Sequence, residues 1–141
     1  LNIELIQTIG DRIGWLNGMP FAEITMPAYH AIGFNSYSSA ISNYIPHISK
    51  MYFEALKSGN QKLVQELYQD VLFPINRIRR SRKGYAISLI KAGMEIVGHP
   101  VKNIVRPPVV SVETDHYEEL KRILTFALEK YPKKIEEPSN L

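Results

Sequence analysis

Apolar residues recur at steps of three and four along much of the chain, which is the spacing of amphipathic helices. The clearest pattern covers residues 63–75, where Pro74 is expected to limit or bend the helix. Further helices are predicted over residues 1–9, 21–32, 46–57 and 85–97. A last helix is expected to start at the capping-box pair Asp115 and Glu118 and to end before Pro132.

The same spacing predicts which face of each later helix is buried. After Pro46 the apolar face consists of Ile45, Ile48, Tyr52, Ala55 and Leu56. The face over residues 63–75 consists of Leu63, Val64, Leu67, Tyr68, Val71, Leu72 and Ile75. The helix over 85–97 presents Ala86, Leu89, Ile90, Gly93, Met94 and Val97. The last helix presents Tyr117, Leu120, Leu124, Ala127 and Leu128.

Two short segments predict β-strands instead. Residues 13–16 form an apolar run between Asp11 and the Asn17-Gly18 turn, so a short buried strand is expected. Residues 36–40 form the second strand. A helix connects the two, so they should be parallel neighbours. Because parallel strands are normally buried inside a larger sheet, the chain, which opens at Leu1 rather than methionine, is expected to be a piece of a longer protein.

Composition narrows the function classes. Hydrophobic residues make up 45% and charged residues 22%, as in a soluble globular domain. The net charge of +3 is too small to indicate a nucleic-acid or membrane partner. The expected location is the cytoplasm. Without cysteine the chain can form no disulfide or zinc–thiolate site, and its four histidines lack metal-ligand spacing, so no metal is expected.

The candidate binding residues follow the two predicted strands. Gly18, Met19 and Pro20 come after the first strand, and Ser38-Ser39-Ala40 end the second. In an α/β barrel, ligands bind at this end of the strands. A glycine there lets a ligand approach the backbone, and serine hydroxyls can bind a sugar acid. The alternative is a tight turn beside a closely packed strand of small residues.

Two groups of cations could carry other functions. The first is a basic run made of Arg77, Arg79, Arg80, Arg82 and Lys83. It could contact a nucleic acid or an anionic substrate, but a solvated helix end is favoured, since cations are stabilised there. The second is Lys91, which lies off the apolar stripe and can pair with Glu95 one turn later. We therefore treat Lys91 as structural rather than as a nucleophile.

A more specific signal comes from a series of motifs taken in order. They are Asn17-Gly18-Met19-Pro20 with Ala22-Glu23, Ala28-Tyr29-His30-Ala31-Ile32-Gly33, Tyr37-Ser38-Ser39-Ala40, Asn43-Tyr44-Ile45-Pro46, Arg82-Lys83-Gly84-Tyr85-Ala86-Ile87-Ser88-Leu89-Ile90-Lys91-Ala92-Gly93 and Val105-Arg106-Pro107-Pro108. With them, residues 1–128 resemble the 5-dehydro-4-deoxyglucarate dehydratases of the dihydrodipicolinate synthase and N-acetylneuraminate lyase superfamily. Sialic-acid lyases carry an acidic pair where this chain has Pro20 and Phe21, which favours the dehydratases.

The resemblance implies an α/β fold, the C-terminal part of a TIM (β/α)8 barrel followed by a three-helix C-terminal extension. Residues 13–16 and 36–40 would be its last two strands. Residues 1–58 would form the last βα units, residues 59–132 the helical region and residues 133–141 a loose tail. The Schiff-base lysine and the catalytic tyrosine would lie upstream, so no catalytic residue is expected in this chain.

The implied activity is the decarboxylating dehydration of 5-dehydro-4-deoxy-D-glucarate, with no metal or organic cofactor. The substrate would be bound by Gly18, Met19, Pro20, Ser38, Ser39, Ala40 and Lys83. The expected partners are the N-terminal half of the barrel and further copies in a dimer or tetramer. Two alternatives remain open, another Schiff-base aldolase or synthase of 2-keto acids and a helical nucleic-acid-binding module that uses residues 77–83.

Overall fold

The computed structural model describes residues 2–133 of the 141-residue chain. Its elements are α1 (Asn2–Ile9), β1 (Leu16–Asn17), α2 (Ala22–Ala31), β2 (Ser36–Tyr37), α3 (Pro46–Lys57), α4 (Gln61–Leu67), α5 (Phe73–Ser81), α6 (Tyr85–Ile96) and α7 (Thr114–Lys130). Short 3₁₀ turns cover Gly10–Arg12 and Ile41–Asn43, and a π-helical turn covers Tyr68–Leu72. Within residues 2–133, every helix is too short or too polar to cross a membrane. The predicted loose tail lies, from residue 134 onward, outside the described residues.

The two strands form a parallel pair in which Leu16 is aligned with Ser36 and Asn17 with Tyr37. The Ser36 amide donates to the Trp15 carbonyl at 3.2 Å, and the Ser38 amide donates to the Asn17 carbonyl at 3.0 Å. Helix α2 connects the strands, as a parallel connection requires. The predicted parallel neighbours are therefore confirmed.

The strand boundaries and the burial of the first strand were predicted wrongly. Strand β1 starts only at Leu16, and the side chains of Ile13 and Leu16 are 49% and 55% exposed. These side chains are exposed because neither packs against the core, and in the described part of the chain β1 pairs only with β2. Strand β2 ends at Tyr37, so the predicted strand residues 38–40 follow it as a loop.

The core lies between the strand pair and the helices that follow. All five apolar residues predicted for α3 are buried. Along residues 63–75 the predicted face is also buried, apart from Leu63, which is partly exposed. Helix α6 approaches the turn after β2 so closely that a Cβ on Gly93 would lie 2.8 Å from Cγ of Tyr44. The helical region therefore packs directly against the loop that follows the second strand.

Pro74 was predicted to limit or bend its helix, but the helical path continues past it and the irregular turn lies just before it. The chain passes from α4 through the π-helical turn, where the Phe73 amide donates to the Tyr68 carbonyl, five residues back. Pro74 then falls in the first turn of α5, where its missing N–H costs little. The helical path continues to Ser81, so α4 to α5 count as one of three C-terminal helices beside α6 and α7.

Two further helix predictions were wrong. Helix α7 begins at Thr114 rather than at the Asp115–Glu118 pair, and its cap residue Glu113 makes no side-chain capping bond. The Glu113 amide instead donates to the Tyr85 hydroxyl at 3.0 Å, so a tertiary contact replaces the local cap. The predicted core positions Ala86 and Leu128 are exposed, because α6 turns Tyr85, Ser88 and Ala92 inward and Leu128 lies at the edge of its face.

Candidate active site at the ends of the two strands

Asn17, the last residue of β1, is 1% exposed and fixes the turn that follows. Its side-chain amide donates to the Ala22 carbonyl at 3.3 Å and to Oγ1 of Thr25 at 3.0 Å. Its side-chain oxygen accepts the Met19 amide at 3.1 Å. This bonding holds the turn containing the predicted site residues Gly18, Met19 and Pro20, all of which are exposed.

The same turn ends in a strained residue. Phe21 has φ 54° and ψ 58°, in the left-handed region that residues other than glycine seldom adopt. Its side chain is only 6% exposed, so burial of the ring stabilises this conformation. Strain of this kind costs about 1–3 kcal/mol and is concentrated at functional sites.

Glu23, on the first turn of α2, is a fully buried acid beside the second strand end. Its Oε1 accepts hydrogen bonds from Oγ of Ser39 at 2.8 Å and from the Ile41 amide at 3.0 Å. Its Oε2 is buried without a hydrogen-bond partner among the described residues. Neither Glu23 nor Asn17 was predicted as a site residue from the sequence; the available signal was a single acid inside the mostly apolar segment 21–26.

The two adjacent serines are placed differently. Ser38 is exposed, and its hydroxyl has no hydrogen-bond partner within residues 2–133. The Ser39 hydroxyl is partly buried and bonded to Glu23, to Oγ of Ser49 at 2.7 Å and to the Ser42 amide at 3.2 Å. Ala40 follows, and its carbonyl accepts the side-chain amide of Asn43 at 3.0 Å. Of the two predicted hydroxyls, that of Ser39 is engaged in these hydrogen bonds, whereas that of Ser38 is exposed and has none within residues 2–133.

An open cleft of about 380 Å³ lies beside β2 and the start of α3. Its lining comprises Ser36, Tyr37, Ser39, Ser42, Pro46, Ser49, Lys50 and Phe53. Burial raises the pKa of Tyr37, the hydrogen bond with Ser49 opposes that change, and the nearby Glu23 adds to it. The cleft therefore offers neutral hydroxyl groups and one ammonium group, which suit a hydroxylated anion.

Comparison with known proteins identifies the family and the fold of the chain. The model of the dihydrodipicolinate synthetase family matches residues 1–127. The chain belongs to the dihydrodipicolinate synthetase family. Two crystal structures of dihydrodipicolinate synthases share its fold, those from Bacillus clausii (TM-score 0.74, 21% identity) and Oceanobacillus iheyensis (TM-score 0.70, 24% identity). Each comparison covers 88% of this chain and 42% of the other, and together they confirm the predicted barrel part with its helical extension.

Some family members are much more similar in sequence. A protein named "Probable 5-dehydro-4-deoxyglucarate dehydratase" from Bacillus subtilis (strain 168) is 67% identical over 134 residues, which cover 95% of this chain and 44% of that protein. A protein of the same name from Acinetobacter baumannii is 40% identical over 118 residues, covering 84% of this chain and 39% of that protein. The chain thus spans less than half the length of these curated relatives.

Of the predicted binding residues, Ser39 lines the cleft, whereas Gly18, Met19, Pro20, Ser38, Ala40 and Lys83 do not. Lys83 is exposed in the turn between α5 and α6 and does not line the cleft. The cation that does line it, Lys50, was missed because it lies on the polar face of α3, which suggests only solvent contact. Its Nζ lies 3.9 Å from Oε1 of Glu54, a loose pair of exposed side chains.

Three of the other cations singled out in the sequence, Arg77, Arg82 and Lys91, have partners in the structure. Arg77 pairs with Glu119 at 3.5 Å, and Arg82 forms an ion pair with Glu113. Nζ of Lys91 donates to the Ile104 carbonyl at 2.6 Å. The predicted pairing of Lys91 with Glu95 is therefore replaced by a bond to the backbone.

Proposed function

We propose that this chain is part of a decarboxylating dehydratase that converts 5-dehydro-4-deoxy-D-glucarate to 2,5-dioxopentanoate, water and CO2. The observation that carries the proposal is the 67% identity, over 95% of the chain, with a protein of that name. The exposed Ser38 and the turn at Gly18 lie at neighbouring strand ends, where such enzymes bind their substrates. We further propose a cytoplasmic homo-oligomer that needs neither metal nor organic cofactor.

The proposed chemistry requires a lysine from outside these 141 residues. With the carbons numbered from the keto-acid end, the amine of this lysine attacks the C2 ketone and loses water to form an iminium, which acidifies the C3 protons. Loss of a C3 proton gives an enamine, which expels the C4 hydroxyl as water. The resulting conjugated iminium accepts the electron pair of the C5–C6 bond as CO2 leaves. Protonation and hydrolysis then release the aldehyde product and the lysine.

The role of this chain in that sequence is to hold the substrate. The Ser38 hydroxyl and the backbone near Gly18, Met19 and Pro20 would bind the hydroxyl and carboxylate groups close to the reacting carbons. Ser39 and Ala40 would act through the backbone of the same loop. A cation would bind the distal carboxylate, either Lys83, as the resemblance implies, or Lys50, which lines the cleft.

The test uses the full-length enzyme with 5-dehydro-4-deoxyglucarate. CO2 and 2,5-dioxopentanoate should form in equal amounts, and borohydride added during turnover should attach substrate to a lysine upstream of Leu1. Formation of a condensation product from pyruvate and an aldehyde would favour the aldolase or synthase alternative. A borohydride-trapped adduct on Lys91 would contradict the proposal that the Schiff-base lysine lies upstream of Leu1.

The distal cation is tested with two matched variants, Lys83→Ala and Lys50→Ala. The variant that removes the carboxylate partner should raise KM for the dicarboxylate substrate without lowering the thermal midpoint, since both lysines are exposed. Unchanged KM in both variants would show that neither lysine binds the substrate.

A further inference from the structure

The proposed mechanism assigns no role to the buried carboxylate of Glu23. We propose that Glu23 is a positioning residue for the strand-end site: it fixes residues 38–42 and thereby presents the exposed Ser38 to the substrate. This inference rests on the proposed function, because Ser38 is taken to bind that substrate. The supporting observations are the complete burial of the Glu23 side chain and its hydrogen bonds to Ser39 and Ile41.

The direction of each hydrogen bond shows how Glu23 orders the loop. Oε1 of Glu23 accepts both the Ser39 hydroxyl at 2.8 Å and the Ile41 amide at 3.0 Å. Since Ser39 uses its proton in that bond, its oxygen is left to accept the Ser42 amide at 3.2 Å. One carboxylate oxygen thus anchors two groups of residues 39–42 directly and a third through Ser39, directly after the residue that faces solvent.

The same chain of donors extends into the cleft. Because Ser39 donates to the carboxylate, the Ser49 hydroxyl must donate to Oγ of Ser39, 2.7 Å away. The oxygen of Ser49 can then accept the Tyr37 hydroxyl at 3.2 Å. The polar groups that face the cleft from β2 and α3 therefore take their orientation from the carboxylate of Glu23.

Glu23 is itself held from the helical core. Its backbone carbonyl accepts the Tyr52 hydroxyl at 2.7 Å and the Tyr68 hydroxyl at 3.4 Å. Tyr52 is completely buried and Tyr68 nearly so. The acid therefore links α3 and the π-helical turn with the loop after β2, which is what a positioning group requires.

The Oε2 atom has no hydrogen-bond partner within residues 2–133, which supports a functional reason for the acid. A buried carboxylate oxygen without a hydrogen bond is costly, and an apolar residue of similar size would avoid that cost. Anchoring the loop needs only the oxygen Oε1. Glutamine, which keeps one such oxygen, should therefore retain the function, whereas alanine should lose it.

The experiment uses the full-length enzyme and the variants Glu23→Gln, Glu23→Ala, Ser38→Ala and the double variant Glu23→Ala with Ser38→Ala. A matched control is Glu95→Ala, which removes a partly buried acid bonded to Tyr117 in the helical region. All rates are measured well below each thermal midpoint, so that partial unfolding does not contribute.

We expect Glu23→Ala to lower kcat/KM about tenfold or more, mainly through KM, and Glu23→Gln to stay within about threefold of the parent. In the Glu23→Ala background, Ser38→Ala should have little further effect, because the serine is already misplaced. Glu95→Ala should leave kcat/KM unchanged. Additive losses in the double variant, or an equal loss in the glutamine variant, would overturn the proposal.

A second measurement separates this inference from the proposed function. Amide hydrogen exchange in residues 38–42 should become faster in Glu23→Ala, while exchange in residues 17–20 stays the same. If the parent enzyme fails to convert the sugar acid, the proposed function fails, and exchange alone decides whether Glu23 orders the loop. Unchanged exchange in residues 38–42 would overturn the positioning role whatever the substrate is.

Discussion

At the scale of single residues, the site depends on which of two neighbouring serines faces outward. Ser38 is exposed after β2, whereas Ser39 is bonded to the buried Glu23. Successive side chains of an extended segment point to opposite sides, so this difference follows from the backbone. Alanine at position 38 should therefore lower activity, whereas alanine at position 39 should lower stability.

Ser38→Ala should lower kcat/KM of the full enzyme about tenfold to a hundredfold and leave the thermal midpoint unchanged. A hydrogen bond to a charged partner contributes about 1.5–3 kcal/mol, and each 1.4 kcal/mol corresponds to about a factor of ten. Steady-state kinetics and thermal unfolding of the variant measure both quantities. Full activity in a folded variant would remove Ser38 from the site.

Ser39→Ala should instead lower the thermal midpoint. It removes a donor to the buried carboxylate of Glu23 and an acceptor of the Ser42 amide. Losing a hydrogen bond to a charged group should cost about 1.5–3 kcal/mol of unfolding free energy. Denaturant titration of the parent and the variant measures this difference, and equal stabilities would contradict the hydrogen-bond network.

The sequence predicted the site only in part. Gly18 and Ser38 could be proposed because they follow predicted strands, and strand ends are where barrels bind ligands. Asn17 and Glu23 could not be proposed as site residues from the sequence, since a polar residue is normally expected on the surface. Only tertiary packing buries these two residues. Lys50 was missed for a related reason, because a sequence does not show which polar helix face meets a cleft.

At the scale of elements, the long helices were more predictable than the strands. A helix such as α3 repeats its pattern over several turns, so its buried face can be identified from the sequence alone. Each strand has only two paired residues, and its position depends on its neighbours rather than on its own pattern. Pro74 was misjudged because the π-helical turn places it in a first turn.

Gly93→Ala should destabilise the contact between α6 and the turn after β2. The added Cβ would lie 2.8 Å from Cγ of Tyr44, whose ring is buried and has little room to move. Overpacking of this kind costs about 1–3 kcal/mol, measurable as a lower urea midpoint. Gly14→Ala is the matched control, since no atom lies within 4 Å of the added Cβ there, and it should leave the midpoint almost unchanged.

Asp70, in the π-helical turn, forms hydrogen bonds with two residues at the C-terminal end of α7. Oδ2 of Asp70 accepts Nζ of Lys130 at 2.7 Å and the Tyr131 hydroxyl at 2.5 Å. Burial acts to raise the pKa of Asp70, but the hydrogen bonds from Lys130 and Tyr131 outweigh it and hold the pKa below its usual value. The contact therefore stabilises the fold while Asp70 is charged.

Asp70→Asn should lower the thermal midpoint near pH 7, and the difference from the parent should shrink in acid. A carboxylate with a lowered folded-state pKa contributes its full stability above the unfolded-state pKa, about 3.9, and loses it as the pH falls through the folded-state value. Thermal midpoints measured from pH 7 down to pH 2 test this. Glu129→Gln, an exposed position on α7, is the control, and a pH-independent difference for Asp70→Asn would contradict the assignment.

At the scale of the whole molecule, four exposed apolar side chains belong to the segment that runs from α1 to the first strand. Ile3, Leu5, Ile13 and Leu16 are each 42–55% exposed. In the described residues β1 has one paired edge, and an unpaired edge flanked by apolar side chains promotes association. These features suit a surface that another part of a barrel covers.

The 141-residue chain in isolation should therefore associate and bind a hydrophobic dye, and adding a polypeptide that supplies the preceding barrel strands should suppress both. Light scattering and dye fluorescence with and without that polypeptide measure the change. A monomeric isolated chain with a cooperative unfolding transition would contradict this view of the surface.

Because of the π-helical turn at Tyr68–Leu72, the packing of α5 depends more on the number of residues in this turn than on their identity. Each residue of a regular α-helix advances the direction of the side chains by about 100°. A deletion of one residue that converted this turn to regular helix would rotate α5 by that angle, and the buried Ile75 and Ile78 would leave the core. Among natural variants, in-frame insertions and deletions should therefore be rarer between residues 68 and 78 than in the connection after α6, even where substitutions are frequent.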